Sequence, residues 1–276
     1  MGNFDKYGRG VQKSKKDLSS ILLTETKSFP YDNVLALSRP ELTDEEQQTI
    51  NTFLQYTNHM ENPVEITDKL NLNIRPGILY AIPYKTMTQL LPHQVRNKEE
   101  MAKVLVGLRD KPISYSIKDK KGNVTAYGQT SWLAGFKIDT KTWNVNYEFS
   151  ASLIDLLISW RAKSNKGFTY KHIKNTYKLK KRGAIHLYNR LTAYRGPAEA
   201  VTISREDIYG ILQQEDSALF SQINRRVLKP AIDEINRHTD ILASYELVKR
   251  NGKIVDSIEF VTHRKSKAQL NLALGN

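Results

Sequence analysis

The chain has 276 residues, 39% of them hydrophobic, which is enough for the cores of one or two domains. It contains no cysteine, which excludes disulfides and thiolate metal sites and suits a cytoplasmic protein. Its N-terminal segment lacks the apolar stretch of a secretory signal, and no apolar run is long enough to span a membrane. The formal net charge of +13 favours a polyanionic partner, either nucleic acid or an anionic membrane surface.

The positive charge is concentrated in one stretch. From Arg161 to Arg195 there are eleven lysines and arginines and no acidic residue. A solvated basic face without a partner is one interpretation of such a run. The length of the run and its lack of acidic residues favour a second interpretation, a surface that binds a polyanion.

The first half of the chain predicts a small α+β domain. A helix is expected from Thr43 to about His59, because Thr43 and Glu46 form a capping box. A second helix is expected from Asn97 to about Arg109, with Asn97 as the N-cap. The other predicted elements are a strand at 78–84, a short helix at 86–91, strands at 113–117, 131–138 and 142–149, and a helix at 152–160.

The second half repeats this order after a polar boundary at 164–167. It predicts a helix from about Lys181 to Tyr194, a short helix capped by Ser204, and a long helix from Phe220 to Arg237. Two strands joined at Asn251 and Gly252 follow, and Asn-Gly between alternating runs is a strong hairpin signal. Three helices followed by a hairpin are the order of a winged helix-turn-helix.

The predicted fold class is therefore α+β, with two tandem winged-helix domains. We expect a flexible basic N-terminal arm at 1–28, a first winged-helix domain at 29–163, a second at 168–262 and a C-terminal tail at 263–276. No metal or other cofactor is expected.

The helix from Phe220 to Arg237 has two contrasting faces. An apolar stripe comprises Phe220, Ile223, Val227, Ala231 and Ile235. The opposite face carries Ser221, Gln222, Arg225, Lys229 and Asn236, with Arg226 at its margin. Arginine and glutamine can hydrogen-bond to base edges in the major groove, although an ordinary solvated face is the alternative. The hairpin that follows, with Lys249, Arg250 and Lys253 at its tip, favours DNA.

Pro230 interrupts this helix, because it has no amide to bond to the carbonyl of Arg226. Either the helix kinks there, or Pro230 stands in the first turn of a separate helix. Both alternatives leave Arg225 and Arg226 near the end of one straight segment.

Several segments resemble the initiator replication protein family of iteron-bearing theta plasmids. Between about Phe168 and Val261 they are "RGAIHLYNRL", "ISREDIYGIL", "NRRVLKPAIDEINRHTD" and "SYELVKRNGKIVDSIEF". In the first half, "ELTDEEQQTINTFL" and "SWLAGFKIDTKTWNVNYEFSASLIDLL" fit the same family. The sequence departs from the family pattern at His186, where arginine is usual, and at Gly183, where an aromatic residue is usual.

The resemblance implies a plasmid-type replication initiator. The second domain would bind one half of each origin repeat, and the first would contact the other half and mediate dimerisation. Such proteins bind direct repeats of double-stranded DNA as monomers, open the origin and recruit the host initiator and the replicative helicase. As dimers, in equilibrium with monomers, they often repress their own promoter.

The resemblance also assigns candidate DNA contacts. For base readout they are Ser221, Gln222, Arg225, Arg226 and Lys229. For phosphates, at the N-terminus of the helix from Lys181 to Tyr194, they are Lys180, Lys181 and Arg182. For the wing they are Lys249, Arg250 and Lys253, and for the first domain they are Arg96, Lys98 and Lys103.

Motifs for enzyme chemistry are missing from the sequence. No two of the six histidines lie within four residues of each other, so the His-x-His metal site of a rolling-circle nuclease is not there. No P-loop or GxSxG motif is present. We expect a binding protein rather than an enzyme. A transcription repressor with the same two-domain body and, less favoured, a nicking enzyme remain the alternatives.

Overall fold

The computed structural model describes residues 11–13, 29–32, 42–59, 77–91, 95, 97–118, 123–154, 168–171, 173–193, 200–251, 254–266 and 268–270. The chain forms two compact units. Unit 1 comprises Met1–Glu25 and Thr49–Asn165, and unit 2 comprises Thr26–Gln48 and Lys166–Asn276. The boundary predicted at 164–167 and most of the helix predicted at 152–160 lie outside the described residues. The domain limits proposed from the sequence stay a prediction.

Unit 1 has the element order of a winged helix. Helix α1 (Asp44–His59), whose first turn belongs to unit 2, precedes strand β3 (Leu79–Pro83) and helices α2 (Tyr84–Leu90) and α3 (Lys98–Asp110). Strands β6 (Leu133–Asp139) and β7 (Asn144–Phe149) complete the order. Strands β3, β6 and β7 form a sheet with β1 (Val11–Lys13) in the order β1-β3-β7-β6. In this sheet only β1 and β3 pair in parallel.

An aromatic cluster forms the core of unit 1. Strand β7 places Val145, Tyr147 and Phe149 on its buried face. The ring of Tyr147 stacks on Phe53 of α1 at 3.7 Å between centroids, and its hydroxyl lies 2.8 Å from the Thr57 hydroxyl. Burial raises the pKa of Tyr147 well above its usual value, so this phenol stays protonated.

A hairpin that the sequence did not predict lies between α3 and β6. Strand β4 (Ile113–Lys118) was expected, but its partner β5 (Val124–Thr130) was not. Most side chains of β5 are exposed, and Tyr127 is 84% exposed. Since a strand without a buried face has no apolar alternation, the periodicity argument cannot detect it.

Unit 2 repeats the winged-helix order without that hairpin. Helix α4 (Ala184–Ala193), strand β9 (Ala200–Ser204) and helix α5 (Arg205–Ile211) come first. A longer helix, α6 (residues 220–238), and strands β10 (Ile241–Arg250) and β11 (Ile254–Arg264) follow. The three strands form an antiparallel sheet in the order β10-β11-β9, and a two-stranded ribbon pairs β2 (Phe29–Asp32) with β8 (Phe168–Lys171).

Side chains of all three helices and the sheet share the core of unit 2. Its fully buried members include Leu187 of α4, Ile208 of α5, Ile235 of α6 and Phe260 of β11. Burying such side chains is the main favourable contribution to the stability of this unit.

Three predicted helix caps are confirmed. The amide of Thr43 donates to the Glu46 carboxylate at 2.7 Å, and the amide of Glu46 donates to the Thr43 hydroxyl at 3.3 Å. Asn97 accepts from the amide of Glu100 at 2.8 Å, and Ser204 accepts from that of Asp207 at 3.1 Å. Caps can be predicted because they satisfy amides only two or three residues away.

Helix α4 begins at Ala184 and not at Lys181 as predicted. Gly183 has φ +71°, a left-handed conformation that separates the preceding residues from the helix. Its amide donates to the Asp44 carboxylate at 2.9 Å. The predicted helix begins too early because apolar periodicity reveals neither the left-handed conformation of Gly183 nor a hydrogen-bond partner so distant in sequence.

The carboxyl group of Asp44 gives unit 2 a pH-dependent stability. Burial raises the pKa of Asp44 from 3.8 to about 6, opposed by the Gly183 amide that donates to it. The imidazole of His186 lies 3.7 Å from this carboxyl. Because the folded protein binds more protons than the unfolded chain between these values, stability falls as pH rises from about 4 to 6. The penalty above that window is at most about 3 kcal/mol, at about 1.4 kcal/mol per pKa unit.

We expect Asp44→Asn to be more stable than the wild type at pH 7 and similar to it near pH 4. The asparagine side chain can still accept from the Gly183 amide but does not ionise. Urea denaturation across this pH range measures the difference. A variant destabilised equally at both ends would contradict the assignment.

Candidate nucleic-acid interface

Helix α6 runs through Pro230 by changing its hydrogen-bond pattern. It comprises an α-helical turn (Phe220–Ile223), a π-helical turn (Asn224–Leu228) and an α-helical segment (Lys229–His238). The amide of Lys229 donates to the carbonyl of Asn224, five residues earlier. Pro230 stands in the first turn of the last segment. The backbone stays helical at Leu228 and Lys229, so this segment continues α6 and is not the separate helix of the second predicted alternative.

The π-turn changes which residues α6 buries. A π-turn inserts one extra residue into the helical repeat, so the buried stripe advances by one position. Leu228 is therefore fully buried, whereas Val227, predicted for the stripe, is only partly buried. Ile232 then joins Ala231 in the core.

The same one-residue shift of the buried stripe means that Asn236 does not lie on the outer face, where it was predicted. Its side chain instead forms two hydrogen bonds with the backbone of Ala243 in β10. The amide nitrogen of Asn236 donates to the Ala243 carbonyl at 2.8 Å, and its oxygen accepts from the Ala243 amide at 2.6 Å. Asn236 therefore attaches α6 to the sheet.

A second attachment between α6 and the rest of unit 2 comes from Lys265, in the predicted C-terminal tail. The Lys265 ammonium group donates to the carbonyls of Asn236 and Thr239, at the last turn of α6. Lys265 is only 7% exposed, and burial lowers its pKa. A cation at a helix C-terminus is favourable because it faces unsatisfied carbonyls. No sequence signal identified Lys265, because its partners lie 26 and 29 residues away.

The outward face of α6 carries the predicted base-reading residues. All five are exposed: Ser221, Gln222, Arg225, Arg226 and Lys229. At the inner side of this face, the hydroxyl of Tyr245 in β10 lies 2.6 Å from the side-chain oxygen of Asn224. The donors thus stand on a helix whose position is fixed by the sheet, and their contacts with DNA stay a prediction.

The wing of unit 2 is the hairpin of β10 and β11. Asn251 has φ +51° in the turn, as the Asn-Gly signal predicts, and the register shifts between Val248 and Lys249. Lys249 is exposed. The side chain of Arg250 and the whole of Lys253 lie outside the described residues.

The residues predicted to contact phosphates before α4 have exposed side chains, but two of their backbone amides are hydrogen-bonded within the protein. Lys180, Lys181 and Arg182 all have exposed side chains. The amides of Lys180 and Lys181 donate to the Glu234 carboxylate at 2.8 and 2.7 Å. The Gly183 amide likewise donates to Asp44, so carboxylates of the protein accept from three amides before α4. Contact of the three basic side chains with phosphates stays a prediction.

One of the three candidates of unit 1, Lys98, contacts an exposed tryptophan. Lys103 is exposed on α3, and Arg96 lies outside the described residues. The Lys98 ammonium group lies 4.7 Å from the ring centroid of Trp143, which has φ +51° between β6 and β7. Lys98 is therefore oriented by a cation–π contact.

The described residues contain no group of three His, Asp or Glu side chains that could hold a metal ion. In the same part of the chain, no helix is both long and apolar enough to cross a membrane.

Two units with the order helix, strand, helix, helix, strand, strand define a protein of tandem winged-helix domains. Family models agree: residues 29–192 match "Initiator Replication protein, WH1", and residues 204–261 match "Initiator Rep protein, WH2". The chain therefore belongs to the initiator Rep protein family, as the resemblance in sequence implied. Comparison with curated protein sequences gave no match.

Three solved structures are similar to this chain to different degrees. The Pi initiator protein in complex with iteron DNA matches with a TM-score of 0.62 and 14% identity, covering 88% of this chain and 99% of that one. Domains 2 and 3 of RctB match with a TM-score of 0.49 and 9% identity, covering 81% and 83% of the two chains. The WH1 domain of MSBI1.176, a replication protein isolated from a multiple sclerosis patient, matches with a TM-score of 0.29 and 12% identity, covering 44% of this chain and 83% of that one.

Proposed function

We propose that this protein initiates plasmid-type DNA replication by binding direct repeats, or iterons, at an origin. The observation that carries the proposal is the exposed donor face of α6, which is fixed on a winged-helix domain of an initiator family. The Pi protein, whose fold is similar, is bound to iteron DNA in its structure. A helix of this type reads base edges when it lies in the major groove.

In this proposal the two winged-helix domains have different roles. The winged-helix domain at 168–262 reads sequence through α6, and its wing and the lysines before α4 contact phosphates. The domain at 29–163 contacts the other half of the repeat through α3 and mediates dimerisation. A monomer–dimer equilibrium would then separate origin binding from repression of the protein's own promoter. The further partners are the host initiator and the replicative helicase in the cytoplasm.

The protein is proposed to act by binding and not by cutting DNA. The expectation rests on the missing nuclease motifs in the sequence and on membership in a DNA-binding family. Incubation of supercoiled origin DNA with the protein and Mg²⁺ or Mn²⁺ tests it. A nick carrying a tyrosyl-linked 5′ end would overturn this part of the proposal.

Initiation and repression without initiation can be separated in cells. A plasmid that carries the direct repeats but lacks the gene should replicate only when the protein is supplied from elsewhere. If the protein represses its promoter but never supports replication, it is a repressor and the proposal fails.

The division between base and phosphate contacts gives a mutational prediction. Arg225→Ala should weaken binding to the repeat by about 1–3 kcal/mol and relax specificity at one base pair, because arginine can donate to a guanine edge. Lys181→Ala, the matched control, should weaken repeat and random DNA equally and reduce the salt slope by about 1. Titrations at several salt concentrations measure both. Equal losses on both DNAs for both variants would contradict the division.

A further inference from the structure

Leu219, immediately before α6, is a large aliphatic residue in an unfavourable position. It is 64% exposed. Single exposed leucines are common, so exposure alone indicates nothing. Leu219 is also the N-cap residue of α6, and its side chain makes no capping hydrogen bond. Ser, Thr, Asn and Asp are strongly preferred at this position, so leucine forgoes helix stability as well as exposing apolar surface.

The backbone on both sides of Leu219 is held by the core. The Tyr209 hydroxyl donates to the carbonyl of Ala218 at 2.7 Å, and Phe220 is buried near the Tyr209 ring. The carbonyl of Leu219 accepts from the amides of Gln222 and Ile223. The leucine side chain is therefore presented from a fixed position and not from a free loop.

Its surroundings suit contact with a base and not with a phosphate. Exposed Ser221 and Gln222 follow in the first turn of α6, the part of a recognition helix that contacts base edges. Exposed Glu215 and Asp216 precede it, and their charge disfavours phosphate contact at this end. In the major groove the apolar group that a leucine can contact is the 5-methyl of thymine.

We propose that Leu219 reads a thymine by packing against its 5-methyl group, at the end of the base contacts of α6. The inference rests on the proposed function, since it needs a repeat that α6 binds. The contact removes apolar surface of both partners from water, which offsets the unfavourable cap.

The test replaces each thymine of the repeat, one at a time, by deoxyuridine, which lacks only that methyl group. Wild-type protein should lose about fourfold in affinity at one or two thymines, the effect expected for burying one methyl-sized group. Leu219→Ala should bind the thymine and deoxyuridine duplexes equally at that position. Arg225→Ala, the control, should keep the full thymine preference there.

Leu219→Ser separates this role from helix stability. Because serine is a favourable N-cap, this variant should unfold at a higher urea concentration while losing the thymine preference. If no thymine is sensitive in the wild type, or if the preference survives in both Leu219 variants, the inference is overturned. If the wild type does not distinguish the repeat from a scrambled duplex, the proposed function fails together with it.

Discussion

Gly183→Ala should destabilise unit 2 by about 3 kcal/mol or more. Gly183 has φ +71°, which costs a residue with a Cβ about 1–2 kcal/mol. An added Cβ would also lie 2.7 Å from the Leu212 Cα and 3.0 Å from the Ile211 carbonyl oxygen. Those atoms are backbone, so no rotamer change relieves the overlap, and overpacking adds about 1–3 kcal/mol. Urea denaturation followed by circular dichroism measures the loss.

Gly77→Ala is the matched control for this substitution. Gly77 has φ +74°, but no atom of the described residues lies within 4 Å of an added Cβ. It should therefore show only the conformational cost of about 1–2 kcal/mol. Equal losses for the two variants would show that the close approach at Gly183 has no energetic consequence.

Lys265→Met should cost about 2–3 kcal/mol of stability and weaken binding to the repeat. The substitution removes a charged donor from two carbonyls at the end of α6, and hydrogen bonds to charged groups contribute about 1.5–3 kcal/mol. Without these hydrogen bonds the C-terminal end of α6 is less firmly held, so the outward face of the helix is positioned less precisely for DNA. Denaturation and DNA titration of the same preparation measure the two effects.

Arg264→Met is the control for charge at this position. Arg264 is exposed, so removing its charge should change stability by no more than about 0.5 kcal/mol. It should lower the affinity for repeat DNA and for random DNA by the same factor. If Arg264→Met and Lys265→Met are equally stable, the buried contacts of Lys265 do not hold α6.

The parts of the fold that were predictable depend on short-range chemistry. The caps at Thr43, Asn97 and Ser204 satisfy amides two or three residues away, and the Asn251 turn needs a left-handed residue. Each follows from side-chain chemistry within one turn of chain. Helix α6 was predicted because its apolar stripe is strong in sequence.

The features that escaped prediction depend on distant residues. The start of α4 depends on Gly183, whose amide meets Asp44, 139 residues earlier in the chain. Pro230 marked an interruption in α6, but the π-turn that accommodates it, and the resulting burial of Leu228, follow from packing in unit 2. Strand β5 exists through its pairing with β4 and has no buried face to reveal it.

For the candidate site, sequence identified exposed donors but not what holds them in place. The five residues on the outward face of α6 are exposed as helical projection predicts. Asn236 was predicted on that same face, and only the π-turn explains why it bonds to β10 instead. Projection at a constant angle misplaces Asn236 because the inserted residue rotates the positions that follow it, although Ala231 and Ile235 are buried as predicted.

The most direct test of the account compares affinities for a duplex carrying one direct repeat and for a scrambled duplex of the same composition, at several salt concentrations. The full chain should bind the repeat about 10³-fold more tightly or better at physiological salt. A variant with Ser221, Gln222 and Arg225 replaced by alanine should lose most of that ratio while still binding both duplexes in a salt-dependent way. Equal wild-type affinities for the two duplexes, or a ratio unchanged in the variant, would contradict the claim that α6 reads the origin.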